Sequence, residues 1–265
     1  MQDLVNIAKK IRLWAIEETV AKGKGHLGGT FSCVDILVAL YYKVLNVKSN
    51  EPKWAGRDRF ILSKGHACLA LYPILMDLGF IDEKTFRSYG VDGGLGGQLD
   101  INIPGVDWNT GSLGHALGVA SGMAISSNLD KKNYYIFVVV GDGECAEGSI
   151  WEAIMFIGQH NLSNIVCIVD RNRLSVTEVL DDGSFFKNLS IVLPAFGWKF
   201  IEIDGHNIAE MVNIFTESKQ SNMPTFIIAN TIKGKGISFM ENGTKWHHSV
   251  PTKEELDIAR RELSA

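Results

Sequence analysis

The chain has 265 residues with 46% hydrophobic content, which fits a globular protein with one α/β core. Its net charge of −4 offers no footprint for nucleic acid, and it shows neither an apolar run of about 18 residues for a membrane span nor a signal peptide. We therefore expect a single domain over residues 1–265 in a cytoplasmic protein, with no nucleic-acid and no membrane partner.

The amino-terminal part of the chain is predicted to contain two helices followed by a long loop. Apolar residues recur at helical spacing between residues 4 and 15 and again between residues 36 and 45. Residues 92–104 are glycine-rich and follow neither the helical nor the strand period. A loop of this length inside a domain is more often functional than disordered, so we expect it to lie near a ligand.

A further helix is predicted around Gly114, Gly118 and Gly122, which recur every four residues. Each glycine inside a helix costs about 0.5–1 kcal/mol relative to alanine, so a stripe of them needs a compensating close contact. Two explanations remain open: tight packing within this chain, and contact across a subunit boundary.

The apolar run 138–140 breaks into Gly141-Asp142-Gly143, and this is the most informative local pattern. Such a tripeptide is most often only a turn. Here it follows a predicted buried strand, and ligands of open α/β sheets bind at the carboxyl ends of the strands. A second predicted strand at residues 165–169 is followed in the same way by Asn172.

Two neighbouring strand ends carrying oxygen ligands predict a shared cation. Asp142, Asn172 and the backbone carbonyl of Leu174 are the expected ligands. Mg²⁺ suits this set because it takes few protein oxygens and completes its shell with phosphates and water; Ca²⁺ or Mn²⁺ are the alternatives. The helix predicted at residues 150–160 adds an amino terminus that favours a nearby anion.

Strands are also predicted at residues 134–140, 199–203 and 225–230, with helical stretches between them. Connections of that length suit right-handed crossovers between parallel strands. The predicted fold class is therefore α/β, a mostly parallel sheet with helices on both faces.

In order and content, these segments resemble the amino-terminal half of a transketolase, and the strand-end pattern resembles the thiamine-diphosphate motif. The resemblance extends from about residue 5 to residue 255. It rests on residues 25–29 (GHLGG), 58–66 (DRFILSKGH), 110–114 (TGSLG), 141–148 (GDGECAEG), 170–175 (DRNRLS), 233–236 (KGKG) and 246–248 (WHH). It implies the thiamine-diphosphate-binding fold, with thiamine diphosphate and a divalent cation as cofactors.

The resemblance also implies roles for individual residues. Histidines of these segments line the donor sugar and the diphosphate, where neutral imidazole can donate to an oxyanion or shuttle a proton. The register of the 246–248 segment leaves open whether His247 or His248 faces the site. The implied catalytic residues are His26, His66, His247, His248, Glu147 and Gln98, with Glu147 in an intersubunit hydrogen-bond network. The implied cofactor-binding residues are His66, Gly111, Ser112, Leu113, Gly141, Asp142, Gly143, Glu144, Asn172 and His248.

Gln98 departs from the family pattern, which usually has a histidine there. Glutamine can hydrogen-bond a sugar hydroxyl but takes up no proton at physiological pH. Two substrate hypotheses therefore remain open: an unusual sugar in a biosynthetic pathway, and the common pair of a ketose phosphate donor and an aldose acceptor.

Length is the main departure, because full transketolases continue into a domain that binds the aminopyrimidine ring. The resemblance thus implies a separate pyrimidine-binding carboxy-terminal subunit, an α2β2 heterotetramer, and two-carbon ketol transfer between sugar phosphates. Two other classes remain open. One is the α subunit of a 2-oxo acid dehydrogenase, and the other is a non-catalytic regulatory subunit.

Overall fold

A computed structural model describes residues 2–174 and 186–264. Within them lies a five-stranded, entirely parallel sheet with the strand order β1-β2-β3-β5-β4. The strands are β1 (Arg59–Leu62), β2 (Ile136–Gly141), β3 (Ile165–Arg171), β4 (Lys199–Asp204) and β5 (Thr225–Asn230). The predicted parallel α/β architecture is confirmed.

Helices pack on both faces of this sheet. They are α1 (Gln2–Lys22), α2 (Leu27–Ala39), α3 (Cys68–Asp77), α4 (Glu83–Phe86), α5 (Ala116–Leu129), α6 (Gly148–Gln159), α7 (Leu189–Ala195), α8 (Ile208–Ser218) and α9 (Lys253–Ser264). Short 3₁₀ turns lie at Gly65–Ala67, Gly143–Ala146, Phe186–Asn188 and Thr244–His247, and a π-helical turn, Leu40–Val44, extends α2. As predicted, no regular element lies within residues 92–104.

The sheet separates two hydrophobic cores. One contains α1, α2 and α3 against one face, and the other contains α5, α6 and α7 against the opposite face. Side chains of β2 and β3 are buried on both faces, which explains why these strands appear in the sequence as continuous apolar runs. Both strands end at the same edge, where the polar residues follow.

Two expectations were wrong. Gly114 lies before α5 with a φ of +86°, so the helical glycine stripe contains only Gly118 and Gly122. An 18-residue helical window, Leu27–Val44, does reach a mean hydropathy of 1.3, enough to cross a membrane by length and composition. It is 89% buried inside the protein, because it forms the core helix α2 and its π-helical extension.

Candidate functional site

The carboxyl ends of β2 and β3 bring Asp142 and Asn172 to one place. Gly141 pairs with Asp170 in the sheet, so the residues that follow each strand emerge side by side. Asp142 Oδ2 accepts a hydrogen bond from the backbone amide of Arg173 at 2.6 Å, which joins the two strand ends directly. The amide of Leu174 donates to Asn172 Oδ1 at 3.2 Å. The three expected cation ligands are therefore held together by a short backbone segment.

Asp142 is a buried carboxylate in an unfavourable electrostatic setting. Burial, and next the charge of Asp170, raise the pKa of Asp142 to about 6. A divalent cation at the carboxylate would favour its charged form and lower this pKa. The donor set of carboxylate, amide and carbonyl oxygens is also the set that Mg²⁺ prefers. The residues present therefore fit a cation.

Beneath this edge lies a buried ion pair between Lys64 and Asp170. Asp170 also accepts hydrogen bonds from Ser32 Oγ at 2.6 Å and from the hydroxyl of Thr231. Lys64 additionally donates to the carbonyl of Gly29 at 2.8 Å. Burial lowers the pKa of Lys64, but the carboxylate of Asp170 outweighs burial and raises it, so the ammonium stays charged. This network fixes the start of α2 against the ends of β1 and β3.

A second buried lysine faces the same space. Lys233 is 1% exposed, and its Nζ lies 3.3 Å from the carbonyl oxygen of Leu174. Burial and then the charge of Lys64 lower the pKa of Lys233 to about 8, so it remains largely protonated at neutral pH. Because Lys64 is paired with Asp170, Lys233 supplies the positive charge that this edge of the sheet offers to a phosphate group.

Glu144 is buried and holds the loop before α5 to the end of β2. Its carboxylate accepts hydrogen bonds from the amide of Gly114 at 2.7 Å and from the amide of Gly141 at 3.1 Å. The hydroxyl of Ser63 donates to the same carboxylate. Glu144 therefore positions backbone at the cavity wall and also lines the cavity itself, and its contact with the cofactor stays a prediction.

Four histidine side chains cluster at the other side of the cavity. His26 lies with its ring centroid 5.5 Å from those of His66 and His247 and 4.7 Å from that of His248. His66 and His247 line the cavity, whereas His248 is exposed, so the geometry separates the two adjacent histidines. Burial, and then nearby Lys64 or Lys233, lower the pKa of His66 to about 3 and that of His247 to about 4. Both imidazoles are neutral at physiological pH.

These side chains enclose a cavity of about 300 Å³. Gly29 faces the same space, since a Cβ on it would make ordinary van der Waals contact with Lys64 Nζ at 3.5 Å and with His66 Nε2 at 3.6 Å. Oxygen ligands at one end, ammonium groups in the middle and neutral imidazoles at the other side fit a diphosphate with its cation. The cavity is lined by Gly29, Lys64, His66, Leu113, Gly141, Asp142, Gly143, Glu144, Asn172, Leu174, Lys233 and His247.

Other predicted site residues lie at the margin of this cavity. Gly111 and Ser112 are exposed next to Leu113, and Glu147 is exposed at the start of α6. Gln98 packs between Gly65 and Gly111, and its Oε1 is buried without a hydrogen-bond partner among the described residues. Gln98 lines a separate outer cavity formed by the 93–110 region.

Lys64 and Lys233 appeared in the sequence only as parts of motifs, and neither was assigned a role. Both lysines lie in segments that resemble cofactor-binding motifs, and a lysine in such a segment is a signal for contact with a diphosphate. Ser175, the last residue of the 170–175 segment, lies outside the described residues.

Comparison with known proteins agrees with this geometry. Residues 4–264 match the family described as "Transketolase, thiamine diphosphate binding domain". The chain is similar to one subunit of the apulose-4-phosphate transketolase of Phocaeicola vulgatus, with 42% identity over 93% of this chain and 89% of that protein. It is also similar to the 6-deoxy-6-sulfo-D-fructose transketolase subunit SqwG of a Clostridium species, with 36% identity over 98% of this chain and 96% of that protein.

A solved structure gives the same result for the fold. The transketolase of Campylobacter jejuni superimposes with a TM-score of 0.92 at 28% identity, covering all of this chain and 43% of that one. The chain therefore spans less than half the length of that transketolase.

Proposed function

The chain belongs to the transketolase family, and on that premise we propose that it is the amino-terminal, cofactor-binding subunit of a two-chain transketolase. The reaction proposed is transfer of a two-carbon ketol unit from a ketose donor to an aldose acceptor. The observation that carries the proposal is the strand-edge arrangement of Asp142, Asn172 and the Leu174 carbonyl beside the ammonium of Lys233.

The residues that line the cavity divide into those for the cation, the diphosphate and the sugar. Asp142, Asn172 and Leu174 would hold a divalent cation, and Lys233 would neutralise the diphosphate. When bound, thiamine diphosphate supplies the carbanion stabilisation that ketol transfer needs. The imidazoles of the cavity wall, which are neutral, would orient donor hydroxyl groups and the diphosphate and hold or pass a proton at a ring nitrogen. These imidazoles are His66 and His247.

A separate pyrimidine-binding subunit is the proposed partner, and the two similar proteins named as subunits support a split enzyme. We propose an α2β2 assembly in the cytoplasm. The exposed face formed by Gly118 and Gly122 of α5 and Phe156 of α6 is the surface we assign to a subunit contact, with Glu147 at its edge.

For the substrate, a less common sugar is the second candidate. Both similar subunits carry names of transketolases acting on unusual sugars, apulose 4-phosphate and 6-deoxy-6-sulfofructose. The buried Oε1 of Gln98 has no hydrogen-bond partner in the described part of the chain. Glutamine in place of the family's histidine would change the hydrogen bonds to a sugar at this position. Xylulose 5-phosphate with ribose 5-phosphate remains the common pair against which these sugars are compared.

The test is ketol transfer with thiamine diphosphate and Mg²⁺, on this chain alone and on the chain mixed with the product of the adjacent reading frame. The donors are xylulose 5-phosphate, apulose 4-phosphate and 6-deoxy-6-sulfofructose. Activity only in the mixture is expected. Decarboxylation of 2-oxo acids without ketol transfer would instead identify a dehydrogenase subunit, and cofactor binding without either reaction would favour a regulatory subunit.

A second test isolates the cation site. Asp142→Asn keeps the shape of the side chain but removes the charge, so Mg²⁺-dependent binding of thiamine diphosphate should be lost while the fold is retained. Calorimetric titration with and without Mg²⁺ measures this, with the exposed Asp130→Asn as a matched control. Unchanged Mg²⁺-dependent affinity in Asp142→Asn would refute the assignment.

A further inference from the structure

Three of the clustered histidines form a group with the geometry of a nitrogen-ligand metal site. One ligand nitrogen from each of His26, His247 and His248 lies within 4.8 Å of the others. Oxygen ligands at Asp142 and Asn172 belong to a different part of the cavity. The two groups differ in chemistry, since imidazole favours zinc and related transition metals, whereas carboxylate and carbonyl oxygens favour Mg²⁺.

Two ring nitrogens of this group have unused hydrogen-bonding capacity. Nδ1 of His26 and Nδ1 of His247 are buried, and neither has a hydrogen-bond partner among the described residues. A buried polar atom is ordinarily paired, because leaving it without a partner costs about 1–3 kcal/mol. A bound metal ion would satisfy such a nitrogen directly.

The backbone on both sides holds the three rings in place. His26 lies immediately before α2, and His247 ends the 3₁₀ turn Thr244–His247. Trp246 of that turn is 3% exposed, and its indole nitrogen donates to the carbonyl of Phe239 at 3.0 Å. A tetrahedral zinc site with Zn–N bonds of about 2.0–2.1 Å places its ligand nitrogens roughly 3.4 Å apart. Small side-chain rotations from the observed spacing therefore suffice.

We propose that His26, His247 and His248 bind one Zn²⁺ at the mouth of the cavity. Water occupies the fourth position, because His248 is exposed to solvent. The ammonium groups of Lys64 and Lys233 lie on the inner side and oppose a cation, so this site binds zinc reversibly instead of serving as a structural site.

Binding of the metal alone tests the proposal, independently of the enzymatic reaction. The full chain is titrated with Zn²⁺ by calorimetry, and with Co²⁺ by visible absorption, in excess Mg²⁺ to fill the oxygen site. The variants are His248→Ala, His26→Ala and, as a matched control at an exposed histidine outside the group, His160→Ala. Circular dichroism verifies that each variant folds. The cysteines do not compete, because all four are buried.

We expect one Zn²⁺ per native chain, a Co²⁺ spectrum with the intensity of a tetrahedral site, and at least a tenfold loss of affinity in both His248→Ala and His26→Ala. His160→Ala should bind as the native chain does. Equal zinc affinity in the native chain and in His248→Ala, or no zinc binding by the folded native chain, would overturn the proposal.

Discussion

Lys233 places a buried ammonium group at the centre of the proposed diphosphate site. Its side chain is 1% exposed, and Nζ lies against the Leu174 carbonyl. Burying an ammonium group is costly unless it interacts with anions or hydrogen-bond acceptors. A diphosphate in the cavity would add a strong interaction of this kind, so the charge of Lys233 should contribute to cofactor affinity.

Lys233→Gln should therefore weaken binding of thiamine diphosphate at least tenfold, which corresponds to about 1.4 kcal/mol. Calorimetric titration in the presence of Mg²⁺ measures the change. Lys235→Gln is the matched control, because Lys235 lies in the same loop but pairs with Glu241 at 3.5 Å. If both variants lose affinity equally, the effect belongs to the loop and not to the Lys233 charge.

Gln98 allows a test of sugar selection that leaves the cation ligands untouched. Its side chain packs against the backbone of Gly65 and Gly111, away from Asp142 and Asn172. Gln98→His should change the ratio of kcat/KM between donor sugars while changing cofactor affinity by less than about twofold. Steady-state kinetics of the assembled enzyme with each donor provide the ratio. Identical ratios in native and variant enzymes would exclude a sugar contact at this position.

Residues adjacent to strand ends were predictable, whereas long-range pairs were not. Asp142 and Asn172 meet because parallel neighbouring strands end at the same edge, which the apolar runs already indicated. The pairing of Lys64 with Asp170 spans 106 residues and depends on the strand order, which separates the end of β1 from the end of β3 by one strand. No local sequence pattern predicts a contact between residues so far apart in the chain.

At the scale of elements, a buried polar group ties α1 and α2 to the loop after β4. Arg12 NH2 lies 2.8 Å from Asp35 Oδ2, and both side chains are buried. His206 Nδ1 lies 2.7 Å from the same carboxylate, while His206 Nε2 accepts from the amide of Ile232. Because Nε2 is an acceptor, Nδ1 carries the proton and donates to Asp35. The role of His206 in this chain is therefore a structural one.

This group predicts a stability change in acid. Burial raises the pKa of Asp35, but the charge of Arg12 and the hydrogen bonds from His206 and Arg12 outweigh it and lower the pKa to about 2. The folded protein thus holds this carboxylate charged more strongly than the unfolded chain does. The resulting stabilisation is fully present above the unfolded pKa of about 3.9 and is lost as pH falls towards 2.

Urea unfolding of native protein and Asp35→Asn between pH 7 and pH 3 measures the effect. The variant should be less stable at pH 7, because it leaves the Arg12 charge buried without its partner. The difference in free energy of unfolding should shrink below pH 4, by roughly 1 kcal/mol at pH 3. Asp130→Asn, at an exposed position, should follow the native curve throughout. A difference that stays constant with pH would show that Asp35 titrates normally.

Long elements with a clear period were predicted, and short or ambiguous ones were not. The strands β2 to β5 were predicted from the sequence, and β5 has the predicted bounds. β1 has only four residues, and its sequence was assigned to a motif instead of a strand. The start of α5 was placed too early because Gly114 shares the spacing of Gly118 and Gly122 but adopts a positive φ.

At the scale of the whole molecule, the glycines of α5 bear on assembly. Apart from the neighbouring backbone of α5 itself, a Cβ added at Gly118 or Gly122 would have no atom of the described residues within 4 Å. Tight packing inside the chain, one of the two explanations for the glycine stripe, therefore does not apply to the described residues. The remaining explanation is close approach of another subunit to the exposed face of α5 and α6, where Phe156 is 38% exposed.

Close approach of a partner subunit predicts opposite effects of enlarging Gly122 on the stability of the isolated chain and on assembly. Leucine is a better helix former than glycine by about 0.8–1 kcal/mol, and open space surrounds the position, so Gly122→Leu should leave the isolated chain as stable as the native chain or more so. The same side chain would collide with a subunit packed closely against α5. Its affinity for the partner subunit should fall at least tenfold, measured by sedimentation of the mixed chains.

Asn128→Leu is the matched control, since Asn128 is exposed near the carboxyl end of the same helix and lies outside the surface cavity that Gly118 and Gly122 line. It should assemble as the native chain does. Normal assembly of Gly122→Leu would place the subunit contact on another surface. The loss of helix stability caused by the glycines would then not be offset by an interface. Loss of assembly with an intact, stabilised isolated chain would show that the glycines are retained for contact with a partner, at the expense of helix stability.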